Sequence, residues 1–248
     1  MAHEFGHFSQ RGSSLLMRAV RRVNLWFAVA VHRHDWIDDM IETLTESRSH
    51  AAFEVFLGFM MWILVGLGRI VLWLLMQVGL LVSASLMRRA EFDADRYEIA
   101  LVGSKSFEQS TKRLAALNLA HAVAAKHVFD SSWGDHLPKD FTGFIVGLAD
   151  SSRKIQKKVA RRMKETGVHL LATHPPDAAR IAAARRLEEP GVLKSDLPGS
   201  ALILNFEKKC AALTREMYEW RFGGAFVPET LRPTREAVQG YLNTMERG

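Results

Sequence analysis

The chain has 248 residues, of which 48% are hydrophobic, so it is long enough to bury a substantial core, and scarce strand-like alternation favours an α-rich protein. The net charge of +6 comes from dispersed Lys and Arg without a base-stacking motif, which argues against nucleic-acid binding and favours lipid headgroups as partner. The single cysteine, Cys210, excludes an internal disulfide, and we expect it in a helical core.

The first motif in chain order is His3-Glu4-Phe5-Gly6-His7. Residues four apart share one face of a helix, so His3 and His7 can bind a single Zn²⁺ while Glu4 points at the water on the metal. This is the ligand set of a metallopeptidase that still needs a third ligand. Because the motif begins at residue 3, where a helix frays, we expect the chain to be N-terminally truncated, without an upstream substrate-binding strand and membrane helices.

An amphipathic helix is predicted for residues 13–34, either at a membrane interface or packed on the catalytic core. From Val55 to Met87 every residue is apolar or small except Arg69 and Gln77. One straight helix of this length would measure about 50 Å, well beyond the roughly 30 Å hydrocarbon core of a bilayer. This segment is therefore predicted to enter lipid, but not as a single upright span.

We expect a hydrophobic hairpin over residues 51–87, with a turn at Gly66-Leu67-Gly68-Arg69 and with Arg69 reaching the headgroups of the far surface. Two alternatives remain at this point: re-entrant helices that do not cross the membrane, and a buried hairpin of a soluble core. If metal ligands before and after this segment share one ion, the chain between them must cross the membrane an even number of times.

The third ligand is predicted in the segment from Arg89 to Tyr97, where helix-forming residues bring Glu91 and Asp95 onto one face. Glu91 could bind the metal, and Asp95 could brace a histidine. Beyond this segment we predict helices over 104–128, 141–164, 178–187 and 202–220, followed by a short final helix. The basic run within 154–164 is either a solvated face or a strip that binds headgroups.

These motifs, in this order and joined by Thr173-His174-Pro175-Pro176, resemble the HtpX-like membrane metallopeptidases, which are relatives of the CAAX prenyl endopeptidases. The resemblance covers about residues 1–185. It implies a gluzincin in which His3, His7 and Glu91 bind zinc and Glu4 is the general base. It also implies a mainly α, zincin-like core with the hydrophobic hairpin inserted between the zinc-ligand helices, and hence a domain over 1–189 and a helical tail of unknown role over 190–248.

Such a site predicts peptide hydrolysis, with a metal-activated water and with Glu4 passing a proton to the leaving amine. An oxyanion donor cannot be assigned from the sequence, although Tyr97 and His174 are candidates. His174 has three open roles: a fourth, inhibitory zinc ligand, a contact to substrate, or an anchor for its loop.

We therefore predict a membrane-associated zinc endopeptidase with one Zn²⁺ per chain, acting on proteins or peptides in quality control, with membrane lipid and no nucleic acid as partners. It is expected as an integral protein of a bacterial-type inner membrane. The active site is predicted to face the cytoplasm because Arg48, Arg88 and Arg89 share a side with the arginines of residues 18–33. The alternative is a truncated, catalytically incompetent interaction module of the membrane.

Overall fold

The computed structural model describes residues 2–9, 11–33, 36–46, 52–129, 137–165, 167, 170–195, 197–226, 228 and 231–245. Regular structure within these ranges is helical, and an isolated bridge joins Pro138 to Arg232. The predicted mainly α class is confirmed. The α-helices of the described ranges are α1 (Ala2–Ser9), α2 (Arg11–His32), α3 (Trp36–Glu46), α4 (Ala52–Val102), α5 (Ser104–Phe129), α6 (Phe141–Ser151), α7 (Arg153–Arg162), α8 (Asp177–Leu187), α9 (Phe206–Phe222) and α10 (Thr234–Met245), with short 3-10 helices at Gly199–Leu202 and Gly223–Ala225.

The chain forms two compact units, residues 1–97 with 167–175 and residues 98–166 with 176–248. In the first unit, α1 to α3 run antiparallel to α4. Residues that come later in α1 to α3 contact residues that come earlier in α4. The contacts are Gly6 with Ala94, Asn24 with Gly79, and Asp38 with Arg69. This pairing keeps α1 beside the Glu91 end of α4, as a shared metal ion requires.

α4 is an unbroken helix of 51 residues, so the predicted hairpin with a turn at residues 66–69 is wrong. Glycine in a helix interior costs about 1 kcal/mol relative to alanine. Leaving the backbone groups of a turn unsatisfied in apolar surroundings costs several kcal/mol, and Arg69, the polar side chain of this turn, could serve carbonyl oxygens but no amide. The Arg69 guanidinium lies 2.5 Å from Asp38 Oδ2, so Arg69 pairs with α3 from within a continuous helix.

The part of α4 from Val55 to Val102 is long and apolar enough to cross a membrane, judged by length and composition. Most of its large apolar side chains are exposed, as Trp62, Leu74 and Val78 illustrate. The predicted amphipathic helix over 13–34 corresponds to α2. Residues 47–51, which include Arg48 and the predicted start of the hairpin, lie outside the described residues.

The second unit is built around a core in which Phe144 of α6, Leu148 of α6 and Tyr218 of α9 are fully buried. The C-terminal tail is part of this core. The Tyr218 hydroxyl donates a hydrogen bond to the Pro138 carbonyl (3.2 Å), and Thr214 Oγ1 accepts one from the Phe141 amide (3.0 Å). The domain division after residue 189 stays a prediction, but the tail and α5 to α8 pack as one unit.

Most of the helices predicted for this unit agree with the structure, and Cys210 is buried in α9 as expected. The helix predicted over 141–164 is instead two helices, because the Ser152 hydroxyl accepts a hydrogen bond from the Ile155 amide (3.3 Å) and starts α7. The Glu108 carboxylate of α5 accepts hydrogen bonds from Arg185 of α8 and from Lys112, and these hold the pKa of Glu108 down at about 2.

Candidate active site

The two histidines of the first motif meet on one face of α1. His3 and His7 are one helical turn apart, and their Nε2 atoms are separated by 3.2 Å. The rings meet edge to face, with centroids 4.8 Å apart. Both imidazoles therefore present the same nitrogen to a common point, as the four-residue spacing predicts.

The carboxylate of Glu91 on α4 completes a cluster of three side chains that could hold a metal ion. Its Oε2 lies 3.4 Å from His3 Nε2 and its Oε1 lies 3.7 Å from His7 Nε2. In a tetrahedral zinc site with metal–ligand bonds of about 2.0–2.1 Å, neighbouring ligand atoms are about 3.3 Å apart. The three side chains thus fit zinc in both donor type and spacing.

Asp95 lies on the opposite side of His3 from this cluster. Its Oδ1 is 3.0 Å from His3 Nδ1, and the residue is only 2% exposed. A carboxylate at Nδ1 favours the tautomer with the proton on that nitrogen, which leaves Nε2 free to bind a metal. The arrangement corresponds to the bracing position that the sequence suggested for Asp95.

Gly6, which is not among the site residues predicted from the sequence, allows α1 and α4 to approach this closely. A Cβ at Gly6 would lie 2.8 Å from the Ala94 Cα and 3.1 Å from the Ala94 carbonyl oxygen. Ala94 is fully buried between Glu91 and Asp95. The signal was present in the motif itself, where a residue without a side chain separates Phe5 from His7.

His174 approaches the cluster from the segment 167–175 of the same unit. Its Nδ1 is 3.0 Å from Glu91 Oε1, while the side chain remains 69% exposed. Arg88, three residues before Glu91, donates hydrogen bonds to the carbonyls of Leu170 (3.2 Å) and Ala172 (2.7 Å). One face of α4 therefore supplies the carboxylate of the candidate metal cluster and also fixes the turn that leads to His174. This role of Arg88 was not predicted from the sequence.

The remaining candidates are Glu4 and Tyr97. Glu4 is exposed on α1 next to His3, and it makes no ion pair with a described residue, so its carboxylate is available to a water molecule. Tyr97 is 53% exposed. Because it lies two residues beyond Asp95, it points to a different side of α4 from the metal-binding face. The structure thus brings His174 to the cluster but not Tyr97.

Comparison with known proteins identifies the family of the chain. Residues 1–188 match the sequence pattern of peptidase family M48, a match that takes in His3, His7, Glu91 and His174. Neither the curated proteins nor the solved structures contain a match to the chain. Since the family match extends over well more than half of the chain, this protein belongs to peptidase family M48, a family of metallopeptidases.

Proposed function

We propose that the chain is a membrane-associated, zinc-dependent endopeptidase. The observation that carries the proposal is the set of 3.2–3.7 Å separations among His3 Nε2, His7 Nε2 and the Glu91 carboxylate oxygens. Two imidazoles and one carboxylate leave a fourth position open, which is the pattern of a catalytic rather than a structural zinc site. One zinc ion per chain follows from this ligand set.

Each of the surrounding side chains has a defined task in this proposal. When bound, zinc supplies a Lewis acid that polarises the scissile carbonyl and makes water nucleophilic near neutral pH. Glu4 accepts the proton of the attacking water and returns it to the leaving amine. Asp95 holds the His3 ring, and His174, which is exposed beside Glu91, donates a hydrogen bond to the carbonyl oxygen as it gains charge.

Membrane association is supported by the exposed apolar surface of α4. Arg69 and the Arg88–Arg89 pair flank 18 uncharged residues, Ile70–Met87, which as a helix measure about 27 Å and match a hydrocarbon core of about 30 Å. Arginines cluster at the Glu91 end of this stretch, whereas α3 brings Asp38 and Asp39 to its other end. This polarity favours a cytoplasmic active site. Quality control of exposed or misfolded protein is the process proposed from the family resemblance.

The test is zinc content and casein cleavage by the purified chain in neutral detergent. We expect about one zinc per wild-type chain, loss of zinc in His7→Ala and Glu91→Ala, and retained zinc without cleavage in Glu4→Gln. His32→Ala and Glu207→Gln, which change exposed residues outside the cluster, are the matched controls. A wild-type chain without stoichiometric zinc would overturn the proposal in favour of an interaction module. Zinc that survives in Glu91→Ala would overturn the ligand assignment.

A further inference from the structure

α7 has an unusual charge composition. Six of its ten residues, Arg153 to Arg162, are Lys or Arg, and none is Asp or Glu. At about 100° per residue, these six cations occupy one continuous half of the helix surface. Ile155 is buried and Val159 packs against the core of the second unit from the other side. The fold therefore fixes the cationic half of α7 towards the outside of this unit.

Half of the cations of α7 have no ion-pair partner among the described residues. Arg161 is 3.6 Å from Glu165 and Arg162 is 2.8 Å from Asp177, but Arg153, Lys157 and Lys158 form no ion pair with any described residue. Three exposed, uncompensated cations thus remain at the start and middle of the helix. They extend over about one and a half turns of the helix, so together they form a charged surface patch.

The arrangement also opposes the stability of the helix. Four pairs of cations stand four residues apart, and such like-charge pairs repel each other: Arg153 with Lys157, Lys154 with Lys158, Lys157 with Arg161, and Lys158 with Arg162. In addition, the helix dipole favours acidic residues in the first turn, but the charged residues there, Arg153 and Lys154, are both basic. A face needed only for solubility would mix both signs of charge. An anionic surface relieves this repulsion.

We infer that α7 is a docking helix for an anionic lipid bilayer, with Arg153, Lys157 and Lys158 contacting headgroup phosphates. Clusters of Lys and Arg on an amphipathic helix have this affinity. The inference rests on the proposed function in one respect, since that function is membrane-associated. α7 contains no aromatic side chain on which a nucleic-acid base could stack, so a lipid surface fits it better than single-stranded nucleic acid.

The experiment uses the full chain in nanodiscs and measures amide hydrogen exchange in α7. We compare nanodiscs of phosphatidylcholine alone with nanodiscs that contain about 30% phosphatidylglycerol. Exchange in α7 is expected to be about tenfold slower on the anionic nanodiscs at low salt, and this difference should disappear at about 0.5 M salt. The triple variant Arg153→Gln, Lys157→Gln, Lys158→Gln should lose most of the difference.

The matched control, Lys194→Gln, Lys208→Gln, Lys209→Gln, removes the same charge from exposed lysines elsewhere in the second unit and should keep the difference. Equal exchange of wild-type α7 on both kinds of nanodisc would overturn the inference. It would also be overturned if exchange in α7 slowed only when single-stranded RNA was added to the neutral nanodiscs. Equal loss in both triple variants would show general charge attraction and would also overturn it. Casein cleavage in neutral detergent should be the same for the wild type and both triple variants. Failure of the peptidase proposal can therefore be distinguished from failure of the docking inference.

Discussion

Replacing Gly6 by alanine tests whether close contact between α1 and α4 builds the metal site. The added Cβ would lie 2.8 Å from the Ala94 Cα, and ordinary van der Waals contact begins at 3.4 Å, so the two backbones must separate by about 0.6 Å. No flexible side chain can yield here, because the nearest atoms belong to the backbone and Cβ of a fully buried residue. The separation acts directly on the distance from His3 and His7 to Glu91.

Metal sites tolerate changes of about 0.2 Å in ligand distance, so a displacement of about 0.6 Å exceeds this tolerance threefold. We expect Gly6→Ala to weaken zinc binding by about 10- to 100-fold, the range seen when the support of a metal ligand is disturbed. The assay is competition with a chromophoric chelator in detergent, with Gly68→Ala as control because a Cβ there meets nothing within 4 Å. Unchanged zinc affinity in Gly6→Ala, with the helical content preserved, would refute the reasoning.

Three further predictions concern the turn before His174, the pairing of α4 and the pH dependence of stability. Arg88→Gln should lower kcat/KM about tenfold without changing zinc affinity, because it releases the turn before His174 but removes no proposed ligand. The control Arg89→Gln should leave both values unchanged. Equal effects of the two substitutions would contradict the role of Arg88. In thermal melts, Gly66→Ala should stabilise a continuous helix by up to about 1 kcal/mol, because a Cβ there meets nothing within 4 Å. Gly79→Ala should stabilise it less, because a Cβ there overlaps the Asn24 side chain, whose terminal Oδ1 must turn away. Destabilisation by Gly66→Ala would favour the hairpin. Because the pKa of Glu108 is lowered from 4.5 to about 2, its stabilising effect is complete above pH 4.5 and is lost as the pH falls towards 2. The melting temperatures of wild type and Glu108→Gln should therefore converge over this range, and a constant difference would count against the ion pair.

The parts of the site that follow from local periodicity could be predicted from the sequence. His3 and His7, like Glu91 and Asp95, are four residues apart, and a helix brings such residues together whatever surrounds it. The position of His174 could not be predicted in this way, because it depends on hydrogen bonds from Arg88 across 84 residues of sequence.

The hairpin prediction failed for a related physical reason. Gly66 and Gly68 are compatible both with a turn and with a helix. Which of the two forms depends on whether the backbone amides and carbonyls of a turn could find hydrogen-bond partners outside the helix. A lone charge in an apolar segment, such as Arg69, favours the tip of a loop when the sequence is considered alone. Its partner, Asp38, belongs to a separate helix, and the sequence contains no local sign that the two residues meet.

The continuity of α4 links the environment of its apolar half to the geometry of the metal cluster. Glu91 belongs to the same rigid rod as Ile70–Met87, without a glycine pair, proline or loop between them that could absorb movement. If α4 moved along its axis by one residue, Glu91 would shift by about 1.5 Å and rotate by about 100°. Even a fraction of this movement exceeds the change of about 0.2 Å in ligand distance that a metal site tolerates. Under the proposed membrane association, the thickness and tension of the lipid around α4 would be physical variables of the proposed zinc site, in the same sense as pH and zinc concentration.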